Sequence, residues 1–235
     1  MIIYIYDKNT LELIAQPMTL GVEKFKEDPG LFFPDWDSKT MASATSLLLN
    51  PILDETTGEL REMTKEELYK AGKYTLAENE LIENGKIKAV ELEECEYIEN
   101  NTVKLDRKKK IEQIKKELSE LKTEHSEKEF LYKGKYLQKN REKGDRDNLT
   151  GIVVLLMATG QTEYNGWKVL DKDTREHIYL KLSLNDLKVM ALHMQEQVTK
   201  ALKAESALIS KLSSLSDGEL KLFNAREEYE ILWNS

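Results

Sequence analysis

From Ser183 to Ser216 the chain carries no glycine and no proline, and Leu187, Met194, Ala201, Leu208 and Leu215 recur there at strict intervals of seven. No other stretch restricts the fold as much. Ala191, Val198 and Leu212 occupy the companion position four residues on, and only Glu205 interrupts it. A seam sustained over about four heptads predicts one long, coiled-coil-like helix. Ser183, followed three residues later by Asp186, is a capping-box variant that places the start of this helix. An apolar stripe of that length needs a covering helix. The spacing allows either another segment of the same chain or a second copy, which would make a homo-oligomer.

One covering segment is visible in the sequence. Ile111, Ile114, Leu118, Leu121 and His125 alternate at steps of three and four, the pattern of an amphipathic helix. Asp106 is placed to cap it, although Arg107 to Lys110 then sit at the unfavourable end of the helix dipole. Phe130 to Leu137 reads as a tight hairpin. Asp147 to Thr159 reads as a helix stopped by Gly160, with Leu149, Ile152, Val153, Leu156 and Met157 on one face. Trp167 to Leu170 and His177 to Leu182 pair around Asp171 to Thr174, and Ser216 to Glu219 opens a final helix carrying Leu220, Phe223, Tyr229 and Trp233.

The first half has a different period. Ile2 to Tyr6 is rich in strand formers, Asp7 to Thr10 has turn chemistry, and Leu11 to Ile14 can return as a partner strand. Leu81 to Lys88 carries Asn84-Gly85, a strong hairpin signal because both central residues need positive φ. Sixteen residues later Tyr97 to Lys104 repeats the pattern around Asn100-Asn101 with four of eight positions identical, which fits either one turn solution used twice or a duplicated binding module. Thr64 with Glu67 starts a short helix. The expected fold class is therefore α+β: a β-hairpin-rich N-terminal region over 1–105, then a mainly helical C-terminal domain over 106–235 with the long helix and a small antiparallel sheet.

Charge and composition exclude several classes. Residues 1–105 hold 11 basic and 21 acidic side chains, and 106–235 hold 24 and 22, so the net charge of −8 is concentrated in the first half. An acidic surface repels phosphate backbones, so no nucleic-acid partner is expected. The longest apolar run, Ile152 to Ala158, falls far short of the roughly 20 residues of a membrane span. Cys95 is the single cysteine, so no disulfide can form within the chain, as suits a reducing cytoplasm. Met1 to Tyr6 is apolar but lacks a basic leader and does not read as a signal peptide.

Reactive chemistry has little to build on. His125, His177 and His193 stand in separate elements, and the His193/Glu196 pair has no second histidine beside it. No P-loop, dinucleotide-binding turn or nucleophile elbow is present. Asp145-Arg146-Asp147 could hold a metal or pair charges, and its place at a helix start explains the acids without either. A glycan-acting enzyme would need two carboxylates about 5–10 Å apart, and no spacing selects a pair. Catalytic residues, cofactor and metal are all expected to be absent. One segment stands out: Asp28 to Asp37 packs Phe32, Phe33 and Trp36 between two prolines. Such rings either anchor a protein partner or fold back over the N-terminal sheet.

The back half resembles a domain of unknown function that recurs in tail-fibre and tail-fibre-assembly proteins of tailed bacteriophages. The resemblance covers about 127–225. It rests on the aromatic hairpin Phe130 to Tyr136, the Arg-Asp-Asn-Leu-Thr-Gly segment Arg146 to Gly151 opening an apolar helix, a strand bearing Trp167, and a strand leading into the long helix, Ile178 to Leu212. Tyr6 to Thr10, and Tyr74 to Leu76 followed by Gly85 to Ile87, are similar to segments of small phage tail proteins. The resemblance implies a non-enzymatic protein that binds a tail-fibre or baseplate protein, as an assembly chaperone or small fibre-associated subunit, in the host cytoplasm during assembly. An integral or host-recognition component of the virion tail is the alternative. The chain lacks the long glycine-rich or triple-stranded repeats of a fibre shaft, which favours the accessory part.

Overall fold

The computed structural model describes all 235 residues. The chain divides into two compact units, one of residues 1–93 and 97–104 and one of 94–96 and 105–235. Helices and small antiparallel sheets occur together, so the fold class is α+β, as the sequence periods indicate.

In the first unit β1 (Tyr4–Asp7) is flanked by β2 (Leu13–Ala15) and, after α1 (Val22–Glu27) and the single-turn α2 (Pro29–Phe32), by β3 (Met41–Ala44). Ile3, Ile5 and Phe25 form its core. The hairpin of β4 (Pro51–Leu53) and β5 (Leu60–Glu62) leads into α3 (Lys65–Lys70), whose first turn is closed by the reciprocal bonds of Thr64 and Glu67. Two more hairpins follow: β6 (Glu80–Glu83) with β7 (Lys86–Ala89), and β8 (Glu96–Glu99) with β9 (Thr102–Leu105). Both turns have the two positive φ values that their asparagines and glycine tolerate, 52° and 77° at Asn84 and Gly85, 50° and 61° at Asn100 and Asn101. The repeated hairpins also touch. The Asn101 side chain accepts from Ile82 N–H at 2.5 Å and donates to Ile82 O at 2.6 Å, taking the place of a strand neighbour.

Glu80 is a buried carboxylate in this unit. It accepts from the Tyr74 hydroxyl at 2.6 Å, Lys65 Nζ at 2.9 Å and Ala77 N–H at 3.1 Å. Those donors, the Tyr74 hydroxyl foremost, hold its titration down at about 2.

The second unit runs through α4 (Arg107–Ser126), β10 (Phe130–Tyr132), β11 (Tyr136–Gln138), α5 (Asp147–Thr159), β12 (Glu163–Asp171), β13 (His177–Ser183), α6 (Leu184–Leu212), α7 (Asp217–Leu222) and α8 (Ala225–Asn234). Its four strands form an antiparallel meander in chain order. Helix α6 serves two cores. Leu187, Met190 and Met194 pack with Leu149 and Leu156 of α5 and with Trp167, Val169 and Leu182 of the sheet. Ala204, Leu208 and Leu212 pack with Ile114, Leu118 and Leu121 of the antiparallel α4, with Leu220 and with Tyr229. The seam is thus covered within the chain. A second copy is not needed to bury it.

Several sequence expectations shift. Two inner companion residues, Met190 and Ala204, lie three positions after Leu187 and Ala201 rather than four, whereas Leu212, four after Leu208, is buried as expected, because a straight helix drifts from a strict repeat of seven. Ala191 and Val198 are only half-buried, Leu215 falls beyond the helix end, and Glu205 leans out to pair with Lys122 at 3.3 Å. The final helix is two helices, since Phe223 is extended and Asn224 caps the second by accepting from Glu227 N–H at 3.1 Å. Met157, expected on the packed face of α5, is exposed. Arg107 explains its own awkward place. It donates to the carbonyls of Leu212, Ser213 and Leu215 and pairs with Asp217 at 3.0 Å, so its charge serves the C-terminal end of α6.

One hairpin loop is built three times. Asp7, Asp54 and Asp171 each accept from the N–H groups two and three residues on, at 2.7–3.1 Å. Each also accepts at its carbonyl from the residue four on, where φ is positive at Leu11, Gly58 and Arg175. The shared sequence is Asp-x-x-Thr-x-Glu.

Two consequences can be measured. Leu208→Ala should cost about 2–5 kcal/mol of unfolding free energy, and Leu202→Ala, on the exposed side of the same helix, less than about 0.5 kcal/mol, both by denaturant titration. Since folding lowers the Glu80 titration from 4.5 to about 2, its contribution is complete above about pH 4.5 and fades as the pH falls towards 2. Melting curves of Glu80→Gln should therefore lie below wild type at pH 7 and converge with it through that acid window.

Candidate functional site

In the first unit the aromatic segment starts at Asp28, whose side chain accepts from Leu31 N–H and caps α2. Pro29 presets the first helical position. The turn carries Phe32, Phe33 and Trp36 back onto Ile3, Ile5 and Phe25. Trp36 meets the Phe25 ring edge-on at 5.3 Å, and Phe32 lies 6.4 Å from it. All three are half-buried in the local core, the arrangement in which the rings cover the N-terminal sheet. Leu31, which the aromatic pattern did not single out, is 71% exposed.

In the second unit β11 and β12 pair only through Tyr136 with Asp171 and Leu137 with Leu170, and then diverge. The cause lies at the end of β11 and just beyond it. Gln138 is turned inward to accept from Trp167 Nε1 at 2.7 Å. Asn140 is fully buried and donates to Ser126 O at 2.8 Å and to Gln197 Oε1 at 3.0 Å. Arg146 holds the same loop by donating to Asn140 O at 2.8 Å. The divergence leaves a cleft of about 770 Å³ lined by β12, the 139–147 turn and the first turns of α5. Arg141 there donates to Asp145 from Nε at 2.8 Å and from Nη2 at 3.2 Å, and the carboxylate raises its titration. Within Asp145-Arg146-Asp147, two charges are therefore committed to neighbouring chain and only Asp147 faces solvent unpaired.

The histidines do not converge. His125 is buried between Tyr229 and Trp233, ring centroids 5.1 and 4.7 Å away, with Nε2 3.0 Å from Glu230 Oε1 but not aligned for a hydrogen bond. Tyr229 donates to Ala201 O at 2.8 Å, and burial pushes its hydroxyl up to about 12. His177 lines the large cleft. His193 is exposed, stacked 4.4 Å from Phe130, with Glu196 4.0 Å from Nδ1. No three His, Cys, Asp or Glu side chains are grouped to hold a metal ion, and no helix is long and apolar enough to cross a membrane.

The remaining feature is α5. Its packed side is Leu149 and Leu156 with Ile152 and Val153 alongside, yet Val154, Leu155 and Met157 are also apolar and more than half exposed. The signal was present in the sequence as an apolar run too dense for one face. No family model matches the chain, and neither a curated protein nor a solved structure matches it. The surfaces offered are an apolar helix face, the strand edge where β11 and β12 diverge, and an exposed leucine. Trp36→Ala should lower stability by about 2–4 kcal/mol, whereas Leu31→Ala should change it by less than about 0.5 kcal/mol, as read by thermal denaturation.

Proposed function

We propose that the chain is a non-enzymatic, bacteriophage tail-associated protein that binds a tail-fibre or baseplate component, as a fibre-assembly chaperone or a small fibre-associated subunit. The tail context is supported by the motif resemblance over about 127–225. Binding is supported by one observation above the others, the second apolar face of α5. A helix packed on one side normally presents polar groups on the other, and here Val154, Leu155 and Met157 stand there instead. Covering them with another protein would remove apolar area from water at roughly 25 cal/mol per Å². The depressed carboxyl groups of Glu67, Glu80 and Asp186 are engaged in caps and ion pairs, which fits a scaffold.

Affinity capture from phage-infected cells with the tagged chain should enrich a tail-fibre or baseplate protein, and Leu155→Asp should reduce that enrichment about tenfold or more while the melting temperature stays within a few degrees. Enrichment of no tail component would sink the proposal. Proteomics of purified virions then separates the two forms of it: a chaperone is absent from mature particles and a subunit is retained.

A further inference from the structure

A different binding element lies in the sheet of the second unit. β13 pairs with β12 from Glu163 to Leu170, but β11 covers only Leu170 and Asp171 on the opposite side. Backbone groups in a strand alternate in direction. Asp171 N–H donates towards β13, to Glu176 O at 2.9 Å, and Lys172 N–H donates the other way, to Lys135 O at 3.0 Å. Leu170 and Lys168 share the direction of Lys172. Leu170 meets Leu137, and the following rung would join Lys168 to Lys139. That rung is not made, because Asn140 draws the chain inward. Lys168 N–H and C=O are left without a backbone partner on a strand edge that borders the 770 Å³ cleft.

We infer that this edge accepts an extended, acidic segment of another protein as an added strand. Room for a second backbone lies in front of three glycines. Gly144, Gly151 and Gly166 line the cleft, and a Cβ at any of them would meet nothing within 4 Å. The volume lies within the usual range of binding clefts, about 300–1,000 Å³. Charge selects the occupant. Lys139 and Lys168 flank the gap without an ion-pair partner, Arg141 is neutralised by Asp145, and Asp147 is the one remaining anion, in a chain whose overall charge is −8. Lysines on an edge repel a second copy of the same edge. Acidic side chains at alternate positions of an incoming strand would meet them instead, with main-chain bonds to Lys168 supplying the register.

The test uses the full chain, isotope-labelled, and the synthetic peptide acetyl-Val-Glu-Val-Glu-Val-Glu-amide. Titration should give saturable amide shifts centred on Lys168, and exchange of the Lys168 N–H should slow about tenfold or more at saturation. The same peptide with alternate amides N-methylated, and a Val-Lys counterpart, should each bind at least about tenfold more weakly. Lys139→Glu with Lys168→Glu should reverse the preference between the two charged peptides. No saturable shift at Lys168 up to millimolar peptide overturns the inference, as does equal binding of the methylated peptide. Concentration-dependent shifts at Lys168 without peptide, marking a self-paired edge, overturn it as well. The peptide arms use the wild-type protein, so a poorly folding variant leaves the outcome decidable. They also do not depend on the tail assignment: capture of a tail protein alongside peptide failure would place binding elsewhere, on α5.

Discussion

Two carboxamides in the middle of the second unit set the positions of almost everything around them. Gln197 interrupts the apolar seam of α6, and its Nε2 donates to His125 O at 3.0 Å and Lys128 O at 2.8 Å, at the end of α4. Its Oε1 accepts from Asn140. Asn140 is fully buried and Gln197 half-buried, and amides withdrawn from water are costly unless their groups are matched, so the pair admits few alternative arrangements. It fixes how far α4 runs along α6, where the chain leaves α4, and where it leaves the sheet after β11. The opening beside β12 follows from that last constraint. A leucine at 197 would extend the seam, but it would take the Gln197 donor from the His125 and Lys128 carbonyls and one of the three acceptors from the Asn140 amide.

Local signals were readable where one residue type solves one geometric problem. The Asn-Gly and Asn-Asn turns, the boxes at Thr64 and Ser183, the cap at Asp106 and the stop at Gly160 all occur where residue chemistry places them. Periodicity located α4, α5 and α6 and merged α7 with α8, and it misjudged faces. Heptad counting puts the companion stripe of α6 one residue after Met190 and Ala204 but places Leu212 correctly, since it ignores the drift of an uncoiled helix. The break at Phe223 was invisible because Leu220, Phe223 and Tyr229 keep an acceptable helical spacing across it.

Sites were less legible than elements. The aromatic cluster is conspicuous by composition, but its place is set by the fold, which packs Phe32, Phe33 and Trp36 onto Ile3 and Ile5. The cleft has no motif, because it arises where Gln138 and Asn140 turn inward, and both look like ordinary polar residues of a loop. Arg107 is similar: its unfavourable place in α4 makes sense only once the end of α6, more than a hundred residues away, lies beside it. Long-range proximity was the missing quantity in each case.

The thrice-built Asp-x-x-Thr-x-Glu loop bears on how the chain reaches its native state. Each copy closes through contacts spanning only a few residues, so the hairpins β1–β2, β4–β5 and β12–β13 can form on a timescale of about 1–10 μs. The seam between α4 and α6 joins residues roughly ninety positions apart and must wait for a slower search through chain conformations. Early loop closure therefore presets strand register before the helices meet, narrowing the set of misaligned intermediates from which the last docking step begins.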